Sequence, residues 1–197
     1  MAEPWNINIH YDGKLDKCVP PDGASVLEVG CGDGFLAARL SQRVQRVVAV
    51  DIDQPVLERA RQRFPTAPVE WRHGDILAIA DELGDFDAVV SNATLHHLPD
   101  TRAALACWRR LVRPGGALAV VSFARPGWRH LPWALATLVV RGVAIRIRGK
   151  WEHSAPTVWP PPFTVRELRD HVRAELPNAR VSLLPLGRVF IQWQAAG

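Results

Sequence analysis

The chain has little of what would build it around disulfides or metals. It carries three cysteines in 197 residues, Cys18, Cys31 and Cys107. Their number is odd and their spacing suits no metal, so neither a disulfide framework nor a metal site is expected. A reducing, cytoplasmic setting follows from the same cysteines. The opening Met1-Ala2-Glu3-Pro4-Trp5 has neither a basic n-region nor an apolar h-region, so no signal peptide is expected. Long hydrophobic runs are missing too. The longest, Leu131 to Val140, meets Arg141 after ten residues. A bilayer span needs about 20, so no transmembrane segment is expected. There are no internal repeats and no low-complexity tracts.

What is present is ordinary for a globular protein: 48% hydrophobic and 22% charged residues. At 197 residues the chain is long enough for one α/β domain with a full core. The net charge of +4 is mildly basic and reads as a solvated, arginine-rich surface. A nucleic-acid partner is not expected.

Short apolar runs alternate with helical periodicity from residue 25 onward. Ser25–Val29, Arg46–Val50, Val69–His73, Phe86–Ser91 and Ala117–Phe123 read as strands. Continuous rather than alternating runs suit parallel strands covered on both faces. Helices are expected from Phe35 to Val44, from Pro55 onward and from Thr101 to Leu111, with a break at Pro114-Gly115-Gly116. Residues 1–24 read as a polar, turn-rich cap segment. Residues 25–123 form the core, and 124–162 a distinct segment with four of the eight tryptophans. Residues 163–197 return to a helix, with Thr164 and Glu167 in a capping-box pattern, and end in two strands, Arg180–Leu184 and Arg188–Gln194. The whole is a doubly wound α/β sheet in a single domain.

The chemistry concentrates at the strand ends. Leu27-Glu28-Val29-Gly30-Cys31-Gly32-Asp33-Gly34 is a buried strand followed by glycine at every second position. Such a loop turns sharply and lets a ligand rest on bare backbone. By spacing alone, Gly32-x-Gly34-x-x-Ala37 with Asp51 also fits a dinucleotide fingerprint. The acids separate the two ligands. Glu28 and Asp33 repel a diphosphate and favour a ligand with a cationic end, such as S-adenosylmethionine. Asp75, after the third strand, could accept from an adenine amino group. Ser91-Asn92 and His96-His97, after the fourth, complete a ring of polar residues at the carboxyl edge of the sheet.

Taken together, Leu27–Gly34, Val50-Asp51-Ile52-Asp53, Gly74-Asp75-Ile76, Phe86–Asn92, Leu95-His96-His97-Leu98 and Leu111–Gly116 resemble the class I S-adenosylmethionine-dependent methyltransferases in order and spacing. The resemblance implies a Rossmann-like seven-stranded sheet with an antiparallel last strand. It implies that Gly30, Gly32 and Gly34 pack against the methionine part of the cofactor. Asp51 would hold the ribose hydroxyls, and Asp75 the adenine, with Ile52 and Ile76 flanking the ring. Ser91 and Asn92 would face the methionine ammonium, and Tyr11 would fold over the cofactor. Cys31 fills the tight loop and is not a nucleophile. The segment after the fifth strand would form a helical lid.

His96 is the expected general base, because histidine titrates near neutral pH, with His97 the weaker candidate. Trp128, Trp133 and Trp151 are expected to shape the pocket of an aromatic or apolar small molecule, methylated on oxygen or nitrogen. Two other readings stay open: an RNA methyltransferase, and a non-catalytic protein that only binds the cofactor. The Leu131–Ile147 stretch leaves room for peripheral membrane contact or a homodimer interface.

Overall fold

The computed structural model describes residues 5–21, 23–148 and 158–197. Seven strands form one sheet in the order β3-β2-β1-β4-β5-β7-β6. They are β1 (Ser25–Val29), β2 (Arg46–Asp51), β3 (Val69–His73), β4 (Phe86–Asn92), β5 (Val112–Ser122), β6 (Arg180–Leu184) and β7 (Arg188–Gln194). The first five pair in parallel, β7 runs antiparallel to β5, and β6 pairs antiparallel with β7. This is the Rossmann-like sheet with an antiparallel last strand that the sequence predicts. From β1 the chain steps outward to β2 and β3, then returns to place β4 on the other side of β1. That reversal opens a crevice above the carboxyl ends of β1 and β4.

The helices are α1 (Ile7–Asp16), α2 (Phe35–Leu40), α3 (Gln54–Arg63), α4 (Ile76–Leu83), α5 (Thr101–Arg110), α6 (Leu131–Arg148) and α7 (Val165–Glu175). One face of the sheet packs Leu105 and Trp108 of α5 and Leu168 and Val172 of α7 over Val89 and Leu118. The other packs Leu15 of α1 and Leu36 and Leu40 of α2 over Val26, Val47 and Phe190. Thr164 caps α7 through its hydroxyl and the Glu167 carboxylate, as the sequence predicts.

Three expectations change. The cap segment is not mainly turns, because it holds α1, capped by the Asn6 side chain, which accepts from the Asn8 and Ile9 amides at 2.9 Å. Its apolar periodicity is faint because its buried face carries Asp12 beside Tyr11 and Leu15. Helix α2 ends at Leu40 rather than Val44; Ser41 caps it, its hydroxyl donating to the Ala38 carbonyl at 2.9 Å. Pro114-Gly115-Gly116 does not break the chain before β5 but forms an irregularity inside it, where the register with β4 shifts. The structure also bears on the membrane expectation. Trp128–Ile147 is 20 residues of helical turn and helix with a mean hydropathy of 1.3. By length and composition it could cross a bilayer. Arg141 interrupts the sequence run but not the helix.

Candidate functional site

A cavity of about 350 Å³ occupies the crevice. Its walls follow the strand order. Gly74, Asp75 and Ile76 lie after β3, Asp51 and Ile52 at the end of β2, and Glu28–Gly34 at the end of β1 and in the loop that follows it. Asn92 ends β4, Thr94, His96 and His97 come after it, and Phe123 follows β5. Asn6, Asn8, Ile9 and Asp12, from and just before α1, close one side.

The loop is shaped by its glycines. Gly30 has φ +69°, and a Cβ there would collide with the Thr94 side chain, whose hydroxyl donates to the Gly30 carbonyl at 3.2 Å. A Cβ on Gly32, at φ +51°, would meet nothing within 4 Å, so this glycine presents bare backbone to open space. Asp51 fixes the loop from β2. One carboxylate oxygen accepts the Gly32 amide at 2.8 Å and the other accepts the Asp53 amide at 3.0 Å.

The cavity is strongly acidic on its inner side. Glu28 is buried, and burial, Asp12 and Asp51 together hold its carboxyl well above the usual range. Its Oε2 has no hydrogen-bond partner among the described residues. Asp12 is buried as well and is pushed up to about 7 by that burial, against the Asn92 amide, which donates to it at 2.8 Å. Asn92 Oδ1 is a second buried acceptor without a partner among the described residues. Burying carboxylates and leaving acceptors unmatched is costly unless a cation or donor arrives.

Asp33 behaves differently from its expected role. It lines the cavity, but its carboxylate lies 3.9 Å from Arg59 and 4.0 Å from Arg63, so part of its charge is answered within the protein. Asp75 caps α4, accepting the Leu77 amide at 2.9 Å, and also lines the cavity.

Of the residues expected at the site, Glu28, Gly30, Cys31, Gly32, Asp33, Gly34, Asp51, Ile52, Asp75, Ile76, Asn92, His96 and His97 all line the cavity. Four do not. Asn8 and Asp12 are one helical turn apart and take the cavity face of α1, which turns Tyr11 aside; its hydroxyl donates to the Pro185 carbonyl. Ser91 is fully buried and donates to the Val29 carbonyl at 2.9 Å, tying β4 to β1. Trp133 donates its indole N–H to the Leu184 carbonyl at 2.9 Å and so docks α6 on the sheet edge. Trp128 projects outward with the Arg129 guanidinium 4.9 Å from its ring. Trp151 lies outside the described residues.

Sequence reasoning missed Asn8, Asp12, Thr94 and Phe123. The Asp12-Gly13 pair reads as a turn, and nothing local distinguishes a buried aspartate from an exposed one. Phe123 is framed by Arg188, a buried arginine of β7 whose guanidinium lies 3.6 Å from its ring centroid and donates to Asn8 Oδ1 at 2.9 Å. His96 packs on Phe123 with ring centroids 4.6 Å apart, and Nδ1 has no partner among the described residues. Burial, then His97 and Arg188, lower His96 to about 3. It therefore does not titrate near neutral pH, contrary to expectation.

The buried carboxyls give a first prediction. A carboxyl raised in the folded state adds stability that is full below its unfolded value near 4 and is lost as pH rises through its folded value. The ligand-free protein should lose stability between about pH 4 and pH 7 on account of Asp12, by up to a few kcal/mol. Urea titrations across that range should show the decline, and Asp12→Asn should flatten it. An equal decline in the variant would rule out Asp12 as its source.

The fold and this cavity define a class of protein: one that holds a nucleoside ligand along a sheet edge with acids awaiting a cationic end. The comparisons agree. Residues 27–120 match the family described as "Methyltransferase domain". An uncharacterized methyltransferase of Mycobacterium tuberculosis (strain ATCC 25618 / H37Rv) is 56% identical over 195 residues, covering 99% of each chain. The 2-phytyl-1,4-naphtoquinone methyltransferase of Thermosynechococcus vestitus is 31% identical over 167 residues, covering 77% of this chain and 74% of that protein. The N-methyltransferase NodS of Bradyrhizobium japonicum WM9, solved with S-adenosyl-l-homocysteine, superposes with a TM-score of 0.63 at 18% identity, covering 95% of this chain and 87% of that one. The chain belongs to the class I S-adenosylmethionine-dependent methyltransferases. Its cofactor is S-adenosylmethionine, and the unpartnered acceptors on Glu28 and Asn92, with open backbone at Gly32, fit that ligand.

Proposed function

We propose that the protein methylates an oxygen or nitrogen of a small, apolar or aromatic acceptor. The observation that carries this reading is the β4–β5 end of the cavity, whose wall is made by Leu98, His96 and the Phe123 ring. The similarity to a methyltransferase named for a phytyl-naphthoquinone supports an apolar acceptor. In this reading Asp75, Ile52 and Ile76 hold the adenine and Asp51 the ribose. The glycine loop, Glu28, Asp12 and Asn92 hold the methionine part.

Bound S-adenosylmethionine supplies a methyl group already activated by its sulfonium. The residues of the chain do the rest. Phe123 and Leu98 exclude water from the acceptor and align it. Neutral His96 accepts a hydrogen bond from the acceptor O–H or N–H and orients it, and the proton passes to solvent once the new bond to carbon has formed.

Incubation with methyl-labelled cofactor and cell extract, followed by solvent partition, tests the proposal. Label should enter the organic-extractable small molecules. Label in RNA would overturn the acceptor class. No label anywhere, with cofactor binding intact by calorimetry, would make the chain a binding protein.

A further inference from the structure

Among the described residues, helix α6 presents a large apolar surface that the methyltransferase reading leaves unused. One stripe of it, Trp133, Thr137, Ala144 and Ile145, is partly buried against the domain. Trp133 donates to Leu184, and Thr137 packs near Gly187 in the turn Pro185–Gly187. The opposite side is exposed: Leu135 by 63%, Leu138 by 65%, Val139 by 69% and Val143 by 53%. Leu135, Val139 and Val143 recur every fourth residue and so line one face. An apolar strip of this length on a surface marks an interaction site.

Charge tells what covers it. Between Asp100 and Glu152 the chain contains no acidic residue. Over that interval Arg129 precedes the helix and Arg146 stands within the exposed face, and both are exposed; Arg141 is exposed too but continues the docked row of Trp133 and Thr137, where its charge reaches Arg188. A second copy docking through α6 across a two-fold axis would bring arginine toward arginine, with no carboxylate on either helix to answer it. An anionic lipid surface answers both features. Its acyl region takes the leucines and valines, and its headgroups take the arginines, whose stems can lie along the apolar face. The buried stripe decides orientation. A helix docked side-on to the domain through Trp133, Thr137 and Ala144 lies along the surface; crossing the bilayer would strip these contacts away.

We propose that α6 is an interfacial helix that seats the enzyme on anionic membranes, lying in the plane of the headgroups. The turn that carries it also receives the Tyr11 hydroxyl of α1, the helix that walls the cavity. The site is thereby held in a fixed position relative to the lipid.

Vesicle sedimentation of the full chain tests this, independently of which acceptor is methylated. Binding to phosphatidylcholine vesicles containing phosphatidylglycerol should be roughly thirtyfold tighter than to phosphatidylcholine alone, from two arginines near the surface. It should weaken in high salt. Replacing Arg129 and Arg146 together by glutamine should remove that preference. Leu135→Asp with Val139→Asp should abolish binding to either vesicle while leaving S-adenosylhomocysteine affinity unchanged, which shows that the domain is intact. Equal binding to both vesicles, or binding to neither, would overturn the proposal. So would a dimer in solution that the double aspartate variant converts to monomer, since α6 would then be a protein interface.

Discussion

Asp51→Ala is expected to weaken S-adenosylmethionine binding by about tenfold to a hundredfold, the range of a lost charged hydrogen bond. Calorimetry with the product S-adenosylhomocysteine measures it without turnover. Two losses combine in that variant. In the proposed site the ribose hydroxyls lose an ionised acceptor. The Gly32 and Asp53 amides also lose theirs, and these bonds of 2.8 and 3.0 Å set the shape of the glycine loop. Asp51→Asn separates the losses. Its amide oxygen can still accept one backbone N–H, while its NH2 cannot accept from a hydroxyl. An intermediate affinity for Asn is expected. Unchanged affinity in Asp51→Ala would mean that the ribose lies elsewhere.

His96→Ala is expected to lower turnover about tenfold to a hundredfold, the worth of a hydrogen bond that positions the acceptor. Cofactor affinity should stay near that of the parent, because the ring stands at the β4–β5 end of the cavity, against Phe123. The pH profile of kcat is the sharper readout. A histidine held to about 3 stays neutral across the physiological range, so with saturating cofactor no acidic limb should appear between pH 5 and 8. A limb near pH 6.5 would point to an ordinary histidine in its place. Full activity in His96→Ala would leave the ring with a packing role beside Phe123.

The glycine loop and its acids are legible in the sequence because their physics is local. A left-handed turn needs glycine wherever it occurs, and an acid at a parallel strand end faces the crevice in any doubly wound sheet. Gly30, Gly32, Asp51 and Asp75 needed no tertiary information to be placed. Tyr11 and the tryptophans did. Tyr11 and Asp12 are adjacent in sequence, yet one faces the turn at Pro185 and the other the cavity, because helix α1 sends neighbours to different sides. Trp133 resembles a pocket residue by type, but its indole N–H found a carbonyl on β6 and became a dock for α6.

Strand rhythm thus determined the fold class, and the glycine loop with its acids, through their resemblance to the methyltransferases, pointed to the cofactor, since each lies within a short stretch of sequence. Only the tertiary structure decided which buried groups keep their ordinary chemistry. Burial raised Asp12 to about 7 and lowered His96 to about 3, and both shifts depend on neighbours distant in the chain, Asn92 and Arg188 among them. It also turned Arg141 from the end of an apolar run into a residue within the exposed helix α6. Desolvation and side-chain facing are properties of the packed whole, which is why no window of sequence contains them.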